Sequence, residues 1–101
     1  MQAQALSDYL INSTPLLIDV REPWEFEICQ IAGSINIPMG MIPGLLDQIR
    51  DAEECVIICH HGVRSMNVIQ FLIKQDIDHL INLDGGIDAW AQTVDRDMAL
   101  Y

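Results

Sequence analysis

Aromatic side chains make up only 6% of this 101-residue sequence, and Lys and Arg together number 5 against 15 Asp and Glu. The formal net charge of −10 argues against nucleic acid and anionic membrane surfaces as partners, because both would be repelled. It also repels small anionic substrates at long range, so any anion site must be locally positive. A basic protein partner would suit such a surface. No apolar run approaches the ~18–20 residues needed to span a bilayer, and Met1 to Ser13 lacks the basic start and cleavage site of a signal peptide. The expectation is a soluble cytoplasmic protein. Cysteine is scarce and odd in number: Cys29, Cys55 and Cys59 make a poor disulfide framework. A strand between Cys55 and Cys59 would hold them ~13 Å apart, beyond disulfide reach, so reduced thiols are expected. Repeats, low-complexity segments and linkers are missing as well, which leaves one domain over residues 1–101.

Half of the residues are hydrophobic, and they alternate between two kinds of segment. Leu16-Leu17-Ile18-Asp19-Val20 reads as a buried strand, and so do Ile35-Asn36-Ile37, Cys55 to Cys59 and His79 to Leu83. Between them lie helical stretches: Ala3 to Ile11, Trp24 to Ile28 behind Pro23, Leu45 to Arg50, Arg64 to Lys74, and Ile87 to Val94 with Trp90 on its core side. The Arg64–Lys74 stretch is apolar nearly all round, which predicts burial between neighbouring elements. Residues after Asp95 read as a loose tail, with Met98, Leu100 and Tyr101 left as candidates for packing. Strands alternating with helices predict an α/β fold, a mostly parallel central sheet with helices on both faces. Ligands of such sheets bind at the carboxyl ends of the strands.

Cys59-His60-His61-Gly62-Val63-Arg64-Ser65 falls at such an end, behind Val56-Ile57-Ile58 and ahead of a helix. Backbone N–H groups of a tight loop can turn inward, and the helix start adds partial positive charge. Both favour an anion at the loop centre and a thiolate over a thiol. Gly62 permits the turn, and Arg64 can present a fork of donors to an oxyanion. A cysteine ending a strand is more often a small buried hydrophobe, and that reading suits Cys29 and Cys55. For Cys59 the company of Gly62 and Arg64 reverses it. A cation at a helix start opposes the dipole, which an anion to bind would explain. The loop reads as a nucleophile, Cys59, in a cradle formed by the amides of His60, His61, Gly62, Val63 and Ser65, with Arg64 beside it. Cys55, Cys59, His60 and His61 lack the spacing of a zinc site, and no metal or other cofactor is expected.

The run Cys59 to Arg64 resembles the active-site loop of the rhodanese family, Cys-x-x-Gly-x-Arg. Further matches cover nearly the whole chain: Leu17 to Glu22, Glu25-Phe26, Gly33 to Pro38, then Leu83-Asp84-Gly85-Gly86-Ile87 with Ala89-Trp90. The resemblance implies a rhodanese-like fold and a single-domain sulfurtransferase. It implies transfer of sulfane sulfur from thiosulfate or a persulfide to a thiol or cyanide acceptor, a redox protein among the candidates, through a persulfide on Cys59. The four residues between Cys59 and Arg64 are the spacing that the resemblance links to sulfur transfer, whereas related phosphatases use one more. Asp19 and Arg21, in the first signature, are expected to form an ion pair or loop brace. Where the family often has Gly-His-Ile, this chain has Cys29-Gln30-Ile31, which predicts a local difference. The alternative to an enzyme is a sulfur-carrier or regulatory module that loads persulfide from a partner with little thiosulfate turnover.

Overall fold

The computed structural model describes residues 1–101. Its strands are β1 (Leu16–Asp19), β2 (Ile35–Asn36), β3 (Cys55–Ile58) and β4 (Leu80–Asn82). They form one sheet in the order β2-β1-β3-β4, every pair parallel. The helices are α1 (Ala3–Tyr9), α2 (Pro23–Ile28), α3 (Leu46–Asp51), α4 (Val63–Lys74) and α5 (Gly86–Thr93). The expected alternation of elements is present, with boundaries moved by a few residues.

The period-2 alternation of a strand splits the apolar residues into two cores. Ile18, Cys55, Ile57 and Cys59 meet Ile49 of α3 and Val68, Ile69 and Leu72 of α4 on one face. Leu17, Val56 and Ile58 meet Leu6 of α1 and Ile87 and Trp90 of α5 on the other. Both central strands are therefore covered on both sides, which is why they read as unbroken apolar runs. Cys59 continues the alternation of β3 and points to the α4 side.

Two expectations need correction. Helix α4 is not buried all round: Ser65, Val68, Ile69 and Leu72 face the core, while Met66 and Ile73 are exposed. A four-stranded sheet offers α4 one face to cover, and no further layer lies outside it. The helix expected to open at Leu45 opens at Leu46, and a 3₁₀ helix over Met39–Leu45 precedes it. Gly40, Pro43 and Gly44 disfavour an α-helix there, but the tighter turn suffices to send Ile42 into the core.

The carboxyl end of β1 carries a charge pair with no access to water. Asp19 and Arg21 are both fully buried, 2.7 Å apart at the closest N–O contact. Arg21 Nε and Nη2 donate to the Asp19 carboxylate, and the remaining donors reach the carbonyls of Glu25 (3.2 Å) and Cys29 (2.6 Å) and the Tyr101 hydroxyl (2.9 Å). Burial works against the Arg21 charge, but its bonds to Asp19 and Tyr101 outweigh burial and hold the guanidinium protonated more firmly than usual. The expected brace is thus an ion pair that gathers β1, α2 and the Cys29 turn around one cation. The Cys29 departure from the family pattern lies in this shell: its thiol also accepts from Arg21, at 3.7 Å. Removing one partner of a buried pair strands the other, at a cost of about 3–5 kcal/mol. Arg21→Met is expected to lose stability on that scale in urea unfolding. Asp19→Leu combined with Arg21→Met should recover a substantial part of it.

Candidate active site

The loop after β3 is shaped by what happens to its carbonyl groups. Cys59 C=O accepts from Ile87 N–H at 2.8 Å, and His60 C=O accepts from Asp88 N–H at 3.0 Å. Both donors belong to the first turn of α5, whose N–H groups have no partner inside their own helix. In a trans peptide the C=O and the following N–H point in opposite directions. Carbonyls turned toward α5 therefore turn the N–H groups of His60 and His61 away from it. The Gly62 N–H donates to Cys59 Sγ at 2.9 Å. Val63, Arg64 and Ser65 are the first turn of α4, where N–H groups again lack intrahelical partners. The amides proposed from the sequence as a cradle are all in this arc.

Two glycines make the arrangement possible. Gly62 has φ +98°, a left-handed conformation open to few other residues. Gly86 has φ +62°, and a Cβ there would lie 2.4 Å from both the Cys59 and the His60 carbonyl oxygens. Helix α5 can reach those carbonyls only because Gly86 has no side chain.

Cys59 itself is 1% exposed. Its sulfur lies 3.3 Å from Ser65 Oγ. Ser65 donates to Asn82 Oδ1 at 2.5 Å, and Asn82 Nδ2 donates to Asp84 Oδ1 at 3.0 Å, which fixes the amide's orientation. A hydroxyl can accept from a thiol or rotate to donate to a thiolate, so Ser65 serves either state. Cys55, by contrast, sits in the core with its thiol against the Ile49 carbonyl. Burial pushes that thiol up to about 11, as befits an inert residue.

Arg64 does not stand free beside the sulfur. Its Nη1 and Nη2 donate to the two carboxylate oxygens of Glu25, at 2.7 and 2.8 Å. Glu25 is buried and also accepts from the Glu22 N–H, closing the capping box of α2, and from the Tyr101 hydroxyl at 2.8 Å. The bonds from Arg64 hold the Glu25 carboxyl down at about 2 despite its burial. The same bonds raise Arg64 above its ordinary value.

Tyr101 ties the parts together. Its hydroxyl accepts from Arg21 and donates to Glu25. Its ring stacks on His60 at 4.0 Å, His60 stacks on His61 at 4.0 Å, and Trp24 meets Tyr101 edge-on at 5.9 Å. Burial, and then the neighbouring His61, lower the His60 pKa. His61 is exposed, its Nδ1 4.0 Å from Asp88. Val63 is exposed at the loop edge. The end of the chain, read as a loose tail, therefore forms one wall of the site.

The sequence reading missed Glu25, Asn82, Gly86 and Tyr101 as site residues. Glu25 follows Glu22 at capping-box spacing, but that signal explains the carboxylate as a helix cap and stops there. Gly86 was legible as a turn only. Tyr101 and Asn82 meet their partners across long stretches of chain and leave no local pattern.

The rhodanese-like domain family model matches residues 2–93. A sulfurtransferase of Allochromatium vinosum is 33% identical over 93 residues, covering 91% of this chain and 87% of that protein. The adenylyltransferase and sulfurtransferase MOCS3 of Drosophila grimshawi is 36% identical over 94 residues. That match covers 85% of this chain but only 21% of the longer protein. Among solved structures, a rhodanese-related protein of Thermoplasma volcanium superposes with a TM-score of 0.81 at 30% identity, covering 93% of this chain and 91% of that one.

Two outcomes follow from the geometry. Gly86→Ala is expected to destabilise by at least about 2 kcal/mol in denaturant unfolding, since the backbone groups it meets cannot step aside. The Glu25 carboxyl should titrate near 2 by NMR rather than at its ordinary 4.5. Because its folded value is depressed, the stability it contributes is complete above pH 4.5 and is lost as pH falls toward 2. Arg64→Ala should move the titration back up.

Proposed function

The chain belongs to the rhodanese-like domain family, and from that premise we propose that it is a sulfurtransferase that carries sulfane sulfur as a persulfide on Cys59. The observation that carries the reading is the Cys59 sulfur facing the Gly62 N–H and the Ser65 hydroxyl, at the carboxyl edge of a parallel sheet. The sulfurtransferase named in Allochromatium vinosum, similar over nearly its full length, supports the same activity.

The reaction has two half-reactions. In the first, the Cys59 thiolate attacks the outer sulfur of the donor. A bond forms between Cys59 Sγ and that sulfur as the donor's own S–S bond breaks. Thiosulfate would leave as sulfite, and an alkyl or protein persulfide would leave as its thiolate. In the second, an acceptor thiol or cyanide attacks the outer sulfur and returns Cys59 as thiolate. Sulfur is passed on without net oxidation, and the order is ping-pong. The persulfide anion extends into the arc of N–H groups from His60 to Ser65, which stabilise it as an oxyanion hole would. Donors are thiosulfate or a persulfide; the acceptor is a thiol, cyanide or a protein thiol. All three cysteines are free, which fits a reducing compartment, the cytoplasm.

Intact-mass measurement after incubation with thiosulfate or ethyl persulfide tests this. One added sulfur atom is expected on the wild type, removed by cyanide and missing in Cys59→Ser. Retention of the added sulfur in Cys59→Ser would place it on Cys29 or Cys55 and defeat the assignment.

A further inference from the structure

The sequence places a cation next to the nucleophile, but the structure has already neutralised it. Each terminal nitrogen of Arg64 donates one N–H to a Glu25 oxygen, which pairs the charge and leaves the Nε–H and one N–H on each terminal nitrogen outside that pair. Glu25 cannot turn away, because the Glu22 N–H and the Tyr101 hydroxyl hold the same carboxylate. Tyr101 is in turn anchored by Arg21, whose charge is matched by Asp19. Of the other cations, the Met1 ammonium donates to the Asn82 carbonyl and is paired with Asp84. Arg50 lies on α3 paired with Asp47, Lys74 is at the far end of α4, and Arg96 stands between Asp95 and Asp97 in the closing segment. Burial and the neighbouring His61 lower the His60 pKa, and Asp88 adds a negative charge beside His61.

These charges decide which donor the site can take. Thiosulfate is a dianion with both charges next to the sulfur to be transferred. To gain an unopposed cation it must separate Arg64 from a buried carboxylate, which would leave Glu25 charged and short of two donors. A persulfide on an uncharged carrier has no such requirement. It brings at most one negative charge, located on the sulfur that enters the N–H arc. Beside the loop, Val63 and the Tyr101-packed Trp24 present exposed apolar surface, which suits a carbon-bearing carrier better than a sulfonate group.

We infer that Glu25, locked in place by the Tyr101 hydroxyl, is a selectivity residue that keeps Arg64 charge-compensated and so favours persulfide donors of low charge over thiosulfate. The inference rests on the sulfur-transfer reading above and deepens it. The favoured first step is Cys59–S⁻ + R–S–SH → Cys59–S–SH + R–S⁻. One S–S bond forms, one breaks, and the donor's carrier leaves as a thiolate with the electron pair.

The test is steady-state transfer from thiosulfate and from ethyl persulfide to a common thiol acceptor, in the wild type, Glu25→Gln and Tyr101→Phe. The wild type is expected to favour ethyl persulfide by about tenfold or more in kcat/KM. Glu25→Gln should raise the ratio of kcat/KM for thiosulfate to that for ethyl persulfide by about tenfold, mainly through a lower KM for thiosulfate. Tyr101→Phe keeps the ring stack on His60 and should shift the donor ratio the same way by a smaller factor. A fall in thiosulfate use on Glu25→Gln, or an equal change with both donors, overturns the inference, because Glu25 would then merely orient Arg64 or support the fold. If Glu25→Gln does not fold, Tyr101→Phe decides, and an unchanged donor ratio overturns the inference. Failure of the wild type to load Cys59 from either donor overturns the sulfur-transfer reading instead.

Discussion

A loop can present its N–H groups to an anion only if its carbonyl groups are satisfied elsewhere. Each residue carries one donor and one acceptor, and neither can be buried without a partner. Here the first turn of α5 supplies that partner: its free N–H groups at Ile87 and Asp88 bond the carbonyls of Cys59 and His60. One unpaired helix end thus orients a loop that abuts another, the start of α4. Gly86 is what lets the two backbones approach. The course of the loop around the Cys59 sulfur follows from this contact.

Charge is arranged around the same edge of the sheet by pairing. The protein is strongly acidic, yet its site is built on two arginines, each matched to one carboxylate. Arg21 is wholly buried with Asp19 and gathers three pieces of backbone. Arg64 is half-exposed and holds a buried Glu25. The Tyr101 hydroxyl bonds to a member of each pair, so the two behave as one network and not as two isolated bridges. An arginine paired in this way is not the same as a free positive charge: the Arg64 guanidinium is compensated by Glu25.

Much of this was legible before any coordinates. The alternation of apolar strands and helices follows from the need of a parallel sheet to be covered on both faces. The position of Cys59 at a strand end, with Gly62 and Arg64 behind it, was legible from the run Val56-Ile57-Ile58 and the helix that follows. The Asp19–Arg21 brace was legible through the resemblance of Leu17 to Glu22 to the family's first signature. The all-round burial read into α4 failed because composition says how apolar a helix is, not how many layers the sheet will stack on it. The 3₁₀ turn at Met39–Leu45 was hidden by the glycines and proline that usually mark irregular chain.

Determined by the sequence itself were the elements, their order, and a thiol on the tight loop after β3, because these depend on local spacing and on the period of apolar residues. Only the tertiary structure decided the electrostatics and the walls of the site. Glu25 reaches Arg64 across 39 positions, and Tyr101 reaches Glu25 across 76. Such partners share no spacing rule that a linear pattern could reveal. They meet because the parallel sheet delivers the ends of β1, β3 and β4 to one edge, and the closing segment returns over that edge.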